Sequence, residues 1–453
     1  MSELVDNAIS AVARARELGA AAAECTISEG EEFSANVRLR EVESLKQASS
    51  RGMGIRVMIG QRPGSSYTSD LSGEGIDSMV HAALEMAKLA SDDPLAGLPE
   101  QADLGQLSTD LQLYDEAIER MDTEWKIDQA KRAEEVALAA DPRITNSEGA
   151  SFDSYLGQRI FANSLGFAGG YRTSSCSLSA VPVAKQNGTN GNVSMERDYW
   201  SSSSRAAARL ETPEVVGRKA AERTLRRLNP RKIETQRAPV IFEPRTARAL
   251  LGDLFDAVNG GAIYRHASFL AGKLGEKIAA ETFTVIDDAT LPGLFGSSPF
   301  DDEGVACRRT VVIERGVLKS YLLNTYTARK LGLKTTGNAS RGITGNAGVG
   351  PGNFYLEAGA KSEEKMIAGV RRGLYVTQLM GGDANTVTGD YSTGATGLWI
   401  ENGELAYPVS EITIAGNLAK MLLDVQEIGS NLEFRSSIAS PSILIGEMTI
   451  SGQ

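Results

Sequence analysis

Two histidines, His81 and His266, and three cysteines, Cys25, Cys176 and Cys307, are scattered over 453 residues, with no two at metal-ligand spacing. Imidazole is the usual base near neutral pH and the commonest transition-metal ligand, so the chain brings little of its own to histidine-based hydrolysis. His81 lies in GIDSMVHAALEMAKLA, where Ile76, Met79, Val80, Ala83 and Ala87 form an apolar stripe and Asp77, His81, Glu85 and Lys88 share the opposite face. That spacing predicts a solvated helix face. His266, in IYRHASFLAGK, has Tyr264, Arg265 and Lys273 nearby. These could bind an anion or line a surface loop, and the loop is favoured because no partner makes the imidazole a base.

Carboxylates are the next resource. Asp301, Asp302 and Glu303 stand together in GSSPFDDEGVACRRT, with Arg309 close behind, and Asp390 follows Gly389 in GDYSTGATG. The first run does not fit the twelve-residue calcium loop, so a turn with local ion pairs before a strand is expected, and a groove-facing loop is the alternative. An independent hydrolase with a non-histidine site would have to draw on Asp301, Asp302, Glu303, Arg309 or Asp390. Nucleophile motifs are weak: Ser392 follows Gly389 by three residues rather than the two of G-x-S-x-G. Ser362-Glu363-Glu364-Lys365 spells S-x-x-K but reads better as a helix N-cap with an acidic first turn. The glycine-rich GITGNAGVGPGN lacks the Lys-Ser/Thr pair of a phosphate-binding loop.

The elements that must position these groups follow from composition and periodicity. With 42% hydrophobic and 23% charged residues the chain reads as an ordinary globular protein. A net charge of -11 opposes direct nucleic-acid or anionic-membrane binding. No stretch approaches the roughly 18 apolar residues of a membrane span. The first nineteen residues read as an amphipathic helix rather than a secretory signal. Three cysteines, an odd and widely spaced set, fit a reducing compartment, and the cytoplasm is the expected location. One basic helix, opened by Thr212-Pro213-Glu214 and carrying Arg218, Lys219, Arg223, Arg226 and Arg227, reads as a solvated face or an inter-domain contact, with a functional anion or partner patch as the alternative.

The fold class predicted is α+β, in three parts. Residues 1–110 form a mixed α+β unit, 111–236 a long helix, antiparallel strands and the basic helix, and 237–453 a domain dominated by antiparallel sheet with flanking helices. Helices are expected from Ser72 to Ala90, Tyr114 to Ala140, Thr325 to Leu331 before Gly332, Ser362 to Val370, and Leu418 to Ile428 before Gly429. Hairpins are expected at Glu314-Arg315-Gly316, Asn402-Gly403 and Gly446-Glu447.

The blocks SSPFDDEGVACRRTVVIERGVLKSYLLNTYTARKLGLKTTGNA, PGNFYLEAG, GLYVTQLMGGDANTVTGDYSTGATGLWIENGELAYPVSEITIAGNLAKML and FRSSIASPSILIGEMTISG closely resemble the TldD/TldE (PmbA) family, in its TldE/PmbA branch. SRGMGIRVMIG and SDDPLAGLP extend the likeness toward the N-terminus. The resemblance implies a cytosolic zinc metallopeptidase of two associated chains that processes or degrades small unfolded peptides, as in peptide maturation and antitoxin turnover.

In that family the TldD chain carries an H-E-x-x-x-H helix and a distant cysteine as zinc ligands, leaving an open position for water. The matching segment here, RTARALLGDLFDAVNG after the strand APVIFEP, holds no histidine, and Cys307 falls well before the family's cysteine. The resemblance therefore implies a chain with no metal or cofactor of its own, paired with a TldD-like subunit that holds the zinc. Extended peptides would be the substrates and a homodimer the alternative assembly when the partner is missing. Older descriptions of the family as modulators of DNA gyrase supply a binding-class alternative.

Overall fold

In the computed structural model, residues 1–187 and 193–452 are described. The first half is one antiparallel sheet with helices on one face. In chain order it comprises α1 (Ser2–Glu17), β1 (Ala22–Arg38), β2 (Glu41–Ile59), β3 (Arg62–Thr68), α2 (Gly73–Leu89), α3 (Glu116–Glu119), α4 (Thr123–Ala139), β4 (Ile144–Asn163), β5 (Ala168–Asn187), β6 (Val193–Arg197), β7 (Trp200–Ser204) and α5 (Pro213–Leu225). The strand order is β3-β2-β1-β4-β5-β6, with β7 also paired to β5. Segments 1–110 and 111–236 thus share a single sheet, joined where β1 pairs with β4 from Glu24↔Asn163 to Val37↔Ala150.

Strand parity sorts the two faces. On β1, Cys25 and Ile27 pack into the core under α1 and α2, while Phe33 and Val37 on the same side are buried near α4. The even-numbered side chains that alternate with these, Glu24 and Thr26 among them, turn to the other face.

The second half comprises β8 (Gln236–Phe242), α6 (Pro244–Val258), α7 (Gly260–Tyr264), β9 (Val285–Asp288), β10 (Arg309–Glu314), β11 (Val317–Leu318), α8 (Thr325–Leu331), β12 (Ala339–Ser340), β13 (Gly348–Val349), β14 (Phe354–Leu356), α9 (Glu363–Ala368), β15 (Arg372–Met380), β16 (Asp390–Glu401), β17 (Glu404–Asn417), α10 (Leu418–Leu423), β18 (Val425–Ile428), β19 (Ile438–Ala439) and β20 (Ile443–Ser451). Strands β17-β16-β15-β8-β20 run in order, and a further β17–β20 pairing closes them into a barrel. Closure removes the open edges of these strands. Val240, Phe242, Leu374 and Val376 on one side of its wall join Leu250, Leu254 and Phe255 of α6 in the largest core. Ile241, Leu398 and Ile400 on the other side meet Met366 of α9. A smaller five-stranded sheet, β11-β10-β9-β14-β19, lies beside it.

The α+β expectation stands, with local corrections. The helix expected over 114–140 is two, because the Asp122 side chain accepts the Glu124 and Trp125 amides and starts α4 afresh. The helix expected over 418–428 ends at Leu423, and Val425–Ile428 pairs with β20 instead. Gly446-Glu447 is not a hairpin. It is a register shift within β20 between Ile445 and Met448, the local bend of a bulge. α8 is as expected: Asn324 and Thr327 form a capping box, and Gly332, at φ +66°, ends the helix.

Candidate functional site

The acidic run 301–303 sits where the serine-rich face of the large sheet meets the second half of the chain, and each carboxylate has a different task. Asp301 is buried, and its two oxygens accept the amides of Glu303 (2.9 Å), Val305 (3.0 Å) and Ala339 (2.9 Å). Three backbone donors make it the anchor of the turn. Burial first, and then the charge of Glu303, push its pKa well above the ordinary carboxylate value. Asp302 accepts the Arg341 amide at 2.8 Å and pairs with Arg159 of β4 at 2.8 Å. Glu303 accepts the Thr325 amide at the start of α8 (2.9 Å), and burial raises its pKa.

Beside them lies an ion network that no motif announces. Glu24 of β1, 1% exposed, is shared by Arg56 of β2 (2.8 Å) and Arg341 (2.5 Å). Burial alone would raise its pKa, but the two guanidinium groups overcome that and hold it below the ordinary value. Arg159 also donates to the Arg341 carbonyl at 3.0 Å. Glu24–Arg341 and Arg159–Asp302 therefore pin the large sheet to the second half of the chain. In sequence, Glu24 alternates with Cys25 and Ile27 like any outward residue of a strand, so no spacing rule sets it apart.

Arg56 and Glu303 open onto a cavity of about 540 Å³, also lined by Asn259, Tyr264, Asn324 and Tyr326. The two tyrosine rings stand edge to face at 6.1 Å. Arg265 lines the same cavity, whereas His266 beside it is exposed, at φ +54°. The remaining candidates lie apart. Arg309 is exposed on β10, and Asp390 is exposed at the start of β16, held by Thr388 (2.8 Å) and Asn417 (3.2 Å). His81 is on an exposed helix face, 3.4 Å from Asp77.

Helix α6 occupies the stretch where a zinc helix would be sought. Its buried titratable residue is Asp253, which accepts the Ala384 amide at 3.0 Å and is pushed up to about 6, by burial first. Asp256 is raised for the same reason. No histidine is on this helix, and among the described residues no three His, Cys, Asp or Glu side chains converge as metal ligands would. All three cysteines are free and buried, with burial pushing Cys25 up to about 12 and Cys176 up to about 11. Such thiols are poor nucleophiles and poor ligands. The residues present do not fit a catalytic zinc.

The basic helix is only partly a solvated face, with Arg218 exposed. Arg223 of α5 is buried, donating to Glu243 at 3.1 and 2.7 Å, and lies 3.2 Å from Asp198. It ties α5 to the loop between β8 and α6, so the contact role expected of this helix is the one the structure shows.

Three family models match the chain: PmbA/TldA metallopeptidase domain 1 over residues 23–87, the central domain over 116–228 and the C-terminal domain over 235–452. Metalloprotease PmbA of Escherichia coli O157:H7 is 42% identical over 431 residues, 95% of this chain and 92% of that one. A Haemophilus influenzae PmbA homolog is 38% identical over 95% and 92% of the two chains. Among solved structures, a Bacteroides thetaiotaomicron protein described as a candidate modulator of DNA gyrase superposes with a TM-score of 0.91 at 30% identity, covering 100% of both chains. TldE from Thermococcus kodakarensis shares the fold, with a TM-score of 0.85 at 24% identity over 98% of this chain and 100% of that one. With its three domains matched in order, and a relative this similar over nearly its whole length, the chain belongs to the PmbA/TldD metallopeptidase family, in its PmbA/TldE branch.

Proposed function

We propose that this chain is the non-catalytic subunit of a two-chain zinc metallopeptidase. Zinc and general base would come from a TldD-like partner carrying H-E-x-x-x-H. The observation that carries this reading is α6, which offers Asp253 and no histidine, together with the lack of a three-ligand cluster among the described residues. The chain's own part is to complete the chamber and to hold extended, unfolded peptides for maturation or turnover.

An open strand edge supports the second role. β3 pairs with β2 over residues 53–59, so among the described residues Glu41–Arg51 of β2 is paired with β1 on one side alone. A free edge of this length accepts an added strand through backbone hydrogen bonds, which select unfolded chains without reading much sequence. The proposed compartment is the cytoplasm, and among the described residues no helix is long and apolar enough to cross a membrane.

The test is to assay zinc content and peptide cleavage for this chain, for a TldD-like chain, and for the two mixed. Cleavage should need the mixture, with zinc in the partner. Stoichiometric zinc and cleavage by this chain alone would end the proposal. The independent-hydrolase alternative is disfavoured by Asp301, whose oxygens are engaged by backbone amides. A gyrase-related role draws on the description of the Bacteroides structure, but a net charge of -11 opposes direct DNA contact.

A further inference from the structure

A cavity of about 270 Å³ lies between β7, the first turn of α6 and the segment 433–440, and its walls are arginine and aromatic rings. Arg245 stacks on Tyr199, 3.9 Å from the ring centre, and donates to the Tyr199 carbonyl at 3.2 Å. Arg435 stacks on Trp200 at 4.2 Å, donates to the Ser201 carbonyl at 2.6 Å and pairs with Glu433 at 2.7 Å. Both guanidinium planes are thereby fixed before any ligand arrives, which lowers the ordering cost of binding.

The local charges do not cancel. Lys219, Arg223, Arg226, Arg245 and Arg435 each have a carboxylate within 4.0 Å, shared among Glu211, Asp198, Glu243 and Glu433. Arg248, exposed on α6 and lining the cavity, has none among the described residues; its one contact is the Ser436 hydroxyl at 3.4 Å. In a chain of net charge -11 this is a cation left over beside two that are pre-positioned.

The cavity shares Ser203 with a second groove, of about 420 Å³, on the serine-rich face of the large sheet, where Phe295 also lines it. Across that face the register sets Ser203, Ser177, Asp153, Ser34 and Lys46 opposite one another on β7, β5, β4, β1 and β2. Five strands at about 4.8 Å spacing give a track of roughly 19 Å, room for five or six extended residues at about 3.3 Å each.

We infer that the arginine cavity binds the free α-carboxylate of an extended peptide whose chain runs out along this serine-lined track. Six cations against four carboxylates leave positive charge around the cavity that the terminal carboxylate of a peptide can meet. Planar guanidinium forks suit the planar carboxylate. This rests on the peptide-handling reading above and adds which end of the peptide this chain holds.

The experiment uses the full chain without its partner. An N-terminally labelled, neutral hexapeptide is titrated as the free acid and as the C-terminal amide, with fluorescence anisotropy as the readout. In parallel, N-acetylalanine and its amide are compared by thermal shift. The acid should bind roughly ten-fold tighter than the amide, the size of one charge-assisted hydrogen bond. Arg248→Glu should bring the acid down to the amide's affinity and leave the amide unchanged. Equal binding of acid and amide, equal loss of both in Arg248→Glu, or tighter binding of an amidated phosphoserine peptide would overturn the assignment. So would failure of N-acetylalanine to stabilise the chain when neither hexapeptide binds. Because no cleavage is read, loss of the carboxylate preference leaves the subunit proposal standing, and failed cleavage by the mixed chains leaves the cavity's assignment standing.

Discussion

Removing Arg341 or Glu24 should have unequal effects, and the inequality follows from who shares whom. Glu24 is one anion between two cations, Arg56 at 2.8 Å and Arg341 at 2.5 Å, and all three side chains are 10% exposed or less. Breaking a buried pair by deleting one partner costs about 3–5 kcal/mol, mostly because the survivor is left charged and dry. Arg341→Met leaves Glu24 still paired with Arg56, so its cost should lie near the lower end, about 3 kcal/mol. Glu24→Gln leaves two guanidinium groups facing each other with no anion between them, and should cost the upper end, about 5 kcal/mol.

In the double variant the repulsion left by Glu24→Gln is relieved, so the combined loss should fall short of the sum by at least about 1 kcal/mol. The acid limb gives an independent check. The Glu24 pKa is lowered on folding, so its contribution is present above the unfolded value and lost as pH falls through the folded one. Arg341→Met narrows that shift and should flatten the pH dependence below about pH 4. Urea unfolding of the full chain at several pH values measures all of this. A larger cost for Arg341→Met than for Glu24→Gln, or strictly additive costs, would refute the shared-anion account.

Asp287 on β9 is buried and pushed up to about 7, by burial first, with Asn338 donating to one oxygen at 2.7 Å and the other oxygen unpartnered. The folded state favours its protonated form, so stability should decline as pH rises from about 4 to about 7, by at most about 4 kcal/mol. Asp287→Asn should remove that decline, as calorimetric melting across this range would show. A Cβ on Gly54 of β2 would sit 1.6 Å from the Ile343 carbonyl oxygen, so Gly54→Ala should lift the 341–347 loop at a cost of about 1–3 kcal/mol. Faster hydrogen exchange confined to that loop and its neighbours is the expected signature. Arg223→Lys keeps the charge but loses the fork that reaches Glu243 through two nitrogens, and should lower stability by about 1–3 kcal/mol in thermal unfolding.

Local order was legible because it is written in local chemistry. Asn324, Thr327 and Gly332 delimit α8 wherever that helix is placed, and the alternation from Cys25 to Val37 is that of a half-buried strand in any sheet. That RTARALLGDLFDAVNG holds no histidine is likewise read from residue identity alone. Local pattern is overridden where a segment's neighbours settle its form. Val425–Ile428 is apolar enough to extend a helix, and it is a strand because β20 offers it a paired edge. Gly446-Glu447 has the letters of a turn, but the strand runs on through it because β8 lies alongside.

The sequence by itself determined the family, the α+β composition and the lack of histidine ligands, because each depends on residue identity and short-range spacing. Tertiary structure alone decided that β1 pairs with β4, that five strands close into a barrel, and that Glu24, Arg56, Arg159, Arg341 and Asp302 form one network. It also decided that Arg435 lines one cavity with Arg245 and Arg248, which lie far before it in the chain. Charges and strand edges act through space at a few ångströms, and nothing in a linear spacing rule records which residues the fold will bring that close.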